Sequence, residues 1–129
     1  MPSQVSPRRV AIADDSPAFL AAAAEHVAAL PGYTLAGTAS TAAQALDLVA
    51  AATPDVLLLD LGIAPNRGLE LVRHLKSSPR APAVVALMLF HTPEADAAAR
   101  RAGADALVGK ESFVAGLNQA LSLLFPAAT

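Results

Sequence analysis

The sequence predicts an α/β fold, with a parallel five-stranded sheet covered by helices on both faces. Short β-rich apolar runs alternate with longer helical stretches five times along the chain, the pattern of successive strand–helix units. The run Val56-Leu57-Leu58-Leu59 has no polar side, as expected of a central strand buried on both faces. Ser16-Pro17 and Thr92-Pro93 each pair a capping hydroxyl with a proline at the first helical position.

The first strand is expected over Arg9–Ala13, ending on Asp14-Asp15. Ser16 caps a helix through the Ala21–Ala24 tract to Leu30, where Pro31-Gly32 stops it. Tyr33 to Ala39 forms the second strand, and Ser40 or Thr41 caps a helix carrying Ala45, Leu46 and Val49, broken at Thr53-Pro54. Asp55–Leu59 is the third strand and ends on Asp60. After a loop with Pro65 and Gly68, Leu69, Leu71, Val72 and Leu75 mark a third helix. The fourth strand runs from Ala83 to Met88 or Leu89, and Thr92 caps an alanine-rich helix that stops at Gly103. A brief strand over Asp105–Val108 precedes Lys110. Ser112 is expected to cap the last helix, with Phe113, Leu117, Ala120, Leu121 and Leu124 along one side and Pro126 at its end.

Bulk composition narrows the function. A chain of 129 residues fits one domain, read as residues 9–125 between a flexible segment 1–8 and a tail 126–129. Without cysteine there are no disulfides, thiolate metal sites or cysteine nucleophiles. No apolar run reaches the ~18 residues of a membrane span, and no apolar h-region follows the N-terminal arginines. A net charge of −2 gives no electrostatic footprint for nucleic acid. The expected setting is cytoplasmic, with no membrane and no direct nucleic-acid binding.

In parallel α/β sheets the functional crevice lies at the carboxyl ends of the strands. There the sequence puts Asp14 and Asp15 after the first strand, Asp60 after the third and Lys110 after the fifth. Each aspartate alone reads as an ordinary strand-end or capping acid. All four groups on one edge are a different matter. Three close carboxylates repel, and burial among like charges raises their pKa values unless a cation joins them. Hard oxygen ligands that retain water suit Mg²⁺. Lys110 would supply a point charge to phosphoryl oxygens, and an aspartate fixed beside a metal is a plausible nucleophile for phosphorus.

The segments Val10-Ala11-Ile12-Ala13-Asp14-Asp15-Ser16, Pro54-Asp55-Val56-Leu57-Leu58-Leu59-Asp60 and Ala102-Gly103-Ala104-Asp105-Ala106-Leu107-Val108-Gly109-Lys110 resemble the receiver domains of two-component signalling. The resemblance covers Arg9 to about Phe125. It implies a flavodoxin-like (βα)5 sandwich with strand order 2-1-3-4-5. It also implies Asp60 as phosphoryl acceptor, Asp15 as a direct Mg²⁺ ligand, Asp14 acting through water, and the Gly62 carbonyl completing the protein ligands. Lys110 would pair with the acceptor or its phosphate. The phosphodonor would be a histidine kinase or phosphotransfer protein, and the chain would not be a turnover enzyme. Receivers often bind a downstream protein, or a second copy, through the face made by the fourth helix, fifth strand and fifth helix. Val114, Leu123 and Phe125 leave an apolar patch there.

The departures from the family fall on its switch. Gapless counting from Lys110 puts Met88 where receivers carry Ser or Thr, and a thioether donates no hydrogen bond. Leu89 stands at the next, usually small, position, and Leu107 replaces the aromatic of the fifth strand. Ile63-Ala64 replaces the usual Met-Pro pair, with Pro65 one place late. A hydrogen bond to a charged group is worth ~1.5–3 kcal/mol, a roughly 10- to 150-fold bias between two states, and here it is missing. The alternative function is therefore a pseudo-receiver, a phosphorylation-independent protein-interaction module. Two rivals fit less well. An aspartate-nucleophile phosphatase needs a second Asp two residues after the first-strand nucleophile, and a nucleotide-binding flavodoxin-like domain needs a Gly/Ser/Thr phosphate loop where Asp14-Asp15 stands. His26, His74 and His91 have no metal-site spacing and are expected at the surface, as are Arg100 and Arg101.

Overall fold

A computed structural model describes residues 6–126. In chain order the elements are β1 (Arg8–Ala13), α1 (Pro17–Ala28), β2 (Tyr33–Ala39), α2 (Ala42–Ala52) and β3 (Val56–Asp60). They continue with α3 (Gly68–Lys76), β4 (Ala83–Met88), α4 (Pro93–Ala102), β5 (Ala106–Gly109) and α5 (Phe113–Leu124). Short 3₁₀ turns over Leu61–Ile63 and Lys110–Ser112 follow β3 and β5.

All strand pairs are parallel and their order is β2-β1-β3-β4-β5, the flavodoxin-like arrangement. Side chains alternate across the sheet and feed two cores. Ala11, Leu57, Leu59, Val84, Ala86 and Leu107 pack against Ala45 of α2, Leu71, Val72 and Leu75 of α3, and Ala99 of α4. Val10, Ile12, Leu58, Val85, Leu87 and Val108 pack against Ala23 and Val27 of α1 and Leu117 and Leu121 of α5. Every residue of β3 is buried, which accounts for the unbroken apolar run that marked it in the sequence.

The caps fall mostly where the sequence placed them. Ser16, Thr41 and Thr92 accept hydrogen bonds from the backbones of Phe19, Gln44 and Ala95, and Gly103 ends α4 at φ 111°. Ser40 plays a different part: its N–H donates to Gln44 Oε1 at 2.9 Å, which steadies the first turn of α2 from the other side. Ser112 is not a side-chain cap, because the 3₁₀ turn carries the backbone directly into α5. Helix α1 ends at Ala28, short of Leu30.

Strand limits shift by one residue where side chains substitute for ladder bonds. Asp55 and Asp105, expected as first strand residues, lie just outside β3 and β5. The Asp55 carboxylate accepts the Arg9 N–H at 2.7 Å, and the Asp105 carboxylate accepts the Val84 N–H at 2.8 Å. Arg8, assigned by sequence to the flexible segment 1–8, opens β1, its N–H donating to the Gly32 carbonyl at 3.0 Å. The rest of that segment up to Val5, and residues 127–129 of the tail, lie outside the described residues.

Gly68 is required by close approach. A Cβ there would stand 2.3 Å from the Leu61 carbonyl oxygen, which is backbone and cannot swing aside. Gly68→Ala should lower stability by roughly 1–3 kcal/mol, the usual cost of an overpacked site. Urea denaturation checks this, and an unchanged midpoint would contradict the packing described.

Candidate functional site

The carboxyl ends of β1, β3 and β5 meet at one edge of the sheet, and the four groups singled out by sequence meet with them. Asp14, directly after β1, is fully buried. Its N–H donates to the Ala39 carbonyl at 3.0 Å, and its Oδ1 accepts the Ser16 N–H at 2.8 Å. Its buried Oδ2 has no oriented hydrogen-bond donor. The compensating charge is the Lys110 ammonium, 2.7 Å away.

Asp60 closes β3 at 8% exposure, and its Oδ1 accepts the Gly62 N–H at 3.3 Å across the 3₁₀ turn. Lys110 Nζ lies 3.7 Å from Asp60 Oδ1, so in this state the ammonium sits closer to Asp14 than to Asp60. Asp15 is exposed, yet carboxylate oxygens of Asp14, Asp15 and Asp60 lie within 4.8 Å of one another.

Three carboxylates face one ammonium, and the imbalance shows at Asp60. Its pKa is raised above the ordinary value, chiefly by loss of water and then by the Asp14 charge; Lys110 and the Gly62 N–H oppose the rise, and Asp15 adds to it. An all-oxygen donor set in which three carboxylates share one ammonium suits a hard divalent cation that keeps part of its water shell. The residues present fit such an ion.

Beside Asp60 lies a cleft of about 380 Å³ lined by Leu61, Gly62, Leu87, Met88, Leu89 and Lys110. Met88 is half-buried on its wall and Leu89 is 65% exposed. Leu107 is buried among the side chains between the sheet and α4, so it lines no part of this cleft.

Sequence reading missed Phe19. Its ring lies under Lys110, with Nζ 4.3 Å from the ring centroid, and stacks edge-on against Phe113 at 5.0 Å. The available signal was one aromatic in an alanine-rich helix, a turn past the Ser16 cap. Other expected surface groups have partners too. His91 Nε2 contacts Asp96 at 3.0 Å, and Arg100 binds both the Asp96 carboxylate and the Asp105 carbonyl. Burial alone would raise the Asp96 pKa, but the bonds from Arg100 and His91 outweigh it and leave the carboxyl below its ordinary value. His26 packs against Phe113, and Phe125 lies against Tyr33 and the Arg8 guanidinium, leaving Val114 and Leu123 as the exposed large apolar residues of α5.

Known proteins share both the sequence pattern and this architecture. The family described as response regulator receiver domain matches residues 10–122. A protein-glutamate methylesterase/protein-glutamine glutaminase of Myxococcus xanthus is 38% identical over 86% of this chain, which spans 32% of that relative's length. A two-component response regulator of the LuxR family from Aurantimonas superposes with TM-score 0.82 at 28% identity, covering 92% of this chain and 85% of that one. A chain from the crystal structure of the P1 domain of CheA3 in complex with CheY6 of R. sphaeroides superposes with TM-score 0.79. It is 28% identical and covers 95% of this chain and all of that one. The protein belongs to the response regulator receiver family of two-component signalling.

A raised Asp60 pKa means that the folded state holds the proton more tightly than the unfolded chain. Stability is therefore lost as pH rises from the unfolded value, 3.8, through the folded one. Asp60→Asn should raise Tm by a few degrees at neutral pH in chelator, and added Mg²⁺ should narrow the gap by stabilising the wild type. Calorimetry checks this; a lower Tm for the variant in chelator would contradict it.

Proposed function

We propose that residues 9–125 act as a phosphoacceptor, taking a phosphoryl group on Asp60 from a phosphohistidine of a histidine kinase or phosphotransfer protein, with Mg²⁺ bound at Asp14, Asp15, Asp60 and the Gly62 carbonyl. The observation that carries this reading is the convergence of three carboxylates and one half-buried ammonium beside a cleft that opens on Asp60. Membership in the receiver family supports it. The relative found with a CheA3 P1 domain supports the class of partner.

Mg²⁺ supplies neutralising charge and a template for phosphoryl oxygens. The protein's own residues do the rest. Asp60 is held by its strand and by the Gly62 N–H, so a carboxylate oxygen is presented to the cleft without rotamer search. That oxygen forms a bond to phosphorus as the phosphorus–nitrogen bond of the donor breaks, and the imidazole leaves with the donor. Lys110, between Asp14 and Asp60, meets the charge that arrives on the phosphoryl oxygens. The unit is a signalling switch and not a turnover enzyme. No described helix is long and apolar enough to cross a membrane.

A pseudo-receiver reading keeps one specific observation in its favour: Met88 and Leu89 line the cleft where a hydroxyl and a small residue would receive a phosphoryl group. Intact-protein mass spectrometry with Mg²⁺ and acetyl phosphate separates the two. The wild type should gain one phosphoryl mass, and Asp60→Asn should gain none. Absence of the gain despite Mg²⁺ binding would favour the pseudo-receiver.

Met88→Thr supplies a hydroxyl at the cleft wall. It should enlarge the amide NMR shifts that a phosphoryl mimic produces on α4 and β5, while leaving the Asp60 mass gain in place. Equal shifts in both proteins would show that Met88 does not limit the switch.

A further inference from the structure

We propose that Phe19 is the positioning residue for Lys110, and that the column Lys110–Phe19–Phe113–His26 carries the state of the pocket to the surface between α1 and α5. The proposal rests on the phosphoacceptor reading and names the route by which that site is felt elsewhere.

Four contacts form one continuous path. Lys110 Nζ stands 2.7 Å from Asp14, 3.7 Å from Asp60 and 4.3 Å from the centre of the Phe19 ring. Phe19 meets Phe113 edge-on at 5.0 Å between centroids, and Phe113 meets His26 edge-on at 5.9 Å. His26 Nε2 reaches Asn118 Oδ1 on α5 at 3.2 Å, so the column ends where α1 and α5 touch at the surface. Lys110 joins the acid cluster to this column: it contacts both Asp60 and an aromatic ring.

Elsewhere the pocket has little to push against. Met88 offers no hydrogen-bond donor to a phosphoryl oxygen. Leu107 is buried in the core beside α4 and does not line the cleft at Asp60. Lys110, by contrast, has two competing attractions, the Asp14 carboxylate and the face of the Phe19 ring, which is the negative end of its quadrupole. Neither holds it directly over Asp60. A phosphoryl group on Asp60 brings extra negative charge to the side of Lys110 where the separation is now 3.7 Å, so the ammonium is drawn that way. Its withdrawal from the Phe19 ring leaves that ring free to repack against Phe113. Interlocked aromatic rings pass such a displacement on in steps, because packed cores favour discrete arrangements.

The test uses NMR on the described protein with Mg²⁺ and beryllofluoride as the phosphoryl mimic, in wild type, Phe19→Leu and Phe19→Tyr. Without the mimic, the Lys110 ε-methylene protons should be shifted upfield by the ring in wild type and Phe19→Tyr, and lose that shift in Phe19→Leu. On adding the mimic, the upfield shift should collapse in wild type, and the Phe113 ring and His26 imidazole resonances should move. In Phe19→Leu the Asp15 and Gly62 amides should still respond while Phe113 and His26 stay still. Phe19→Tyr should restore their response. A wild type whose Gly62 amide responds but whose Phe113 and His26 do not would overturn the proposal and leave the acceptor intact. So would an undiminished Phe113 and His26 response in Phe19→Leu. Silence of the Asp15 and Gly62 amides themselves would sink the acceptor reading, and this proposal with it.

Discussion

The contact between the Lys110 ammonium and the buried Asp14 carboxylate is the interaction on which the rest of the edge depends. Asp14 has no solvent access, and one of its oxygens has no oriented donor. A carboxylate in that position is tolerated only with a charge beside it. Lys110 supplies the charge from 2.7 Å, and in doing so stays 3.7 Å from Asp60. Asp60 is thus left partly uncompensated, which adds the Asp14 charge to the loss of water that chiefly raises its pKa, and its carboxylate joins a donor set that fits a divalent cation. The cluster is under electrostatic tension that a cation would relieve, and such tension suits the charged ligands proposed for it.

The sheet makes this tension possible. β1, β3 and β5 are short and parallel, and their carboxyl-terminal residues are buried, so their ends emerge together at one edge. Ala23 of α1, Ala45 of α2 and Ala99 and Ala102 of α4 are buried against the sheet, and their short side chains are good helix formers that cost little entropy to order. Asp55 and Asp105 fix the opposite ends of the strands by taking backbone N–H groups from Arg9 and Val84. Identical side chains thus serve opposite ends differently: at one end carboxylates are satisfied by the backbone, at the other they are crowded together.

Much of this was legible in the sequence because it obeys local rules. The unbroken apolar run of β3, the Ser-Pro and Thr-Pro helix starts and the Gly103 stop each depend on neighbours within a few residues. The strand-end placement of Asp14, Asp15, Asp60 and Lys110 followed from the same rhythm. What escaped depends on contacts distant in sequence. Phe19 and Lys110 are far apart in the chain, and no periodicity joins an α1 ring to a lysine after β5. The Asp96–Arg100 pair, by contrast, has the i,i+4 spacing of one helix face and was open to reading, whereas the His91 contact with Asp96 needs the loop before α4 to be built. Ser112 shows the converse error: a good capping residue stood at the right place, but the 3₁₀ turn had already settled the backbone.

The central claim is that the acid edge is a cation site serving Asp60, and Mn²⁺ as a paramagnetic stand-in for Mg²⁺ tests it most directly. Titrated into ¹⁵N-labelled protein, Mn²⁺ should broaden the amides of Asp14, Asp15, Asp60 and Gly62 first, with excess Mg²⁺ restoring them. The amides of Asp55 and Asp105, at the far end of the sheet, should stay sharp. Broadening spread evenly over exposed acids, or concentrated around Asp96 and Glu111 instead, would mean that the three carboxylates do not form a metal centre.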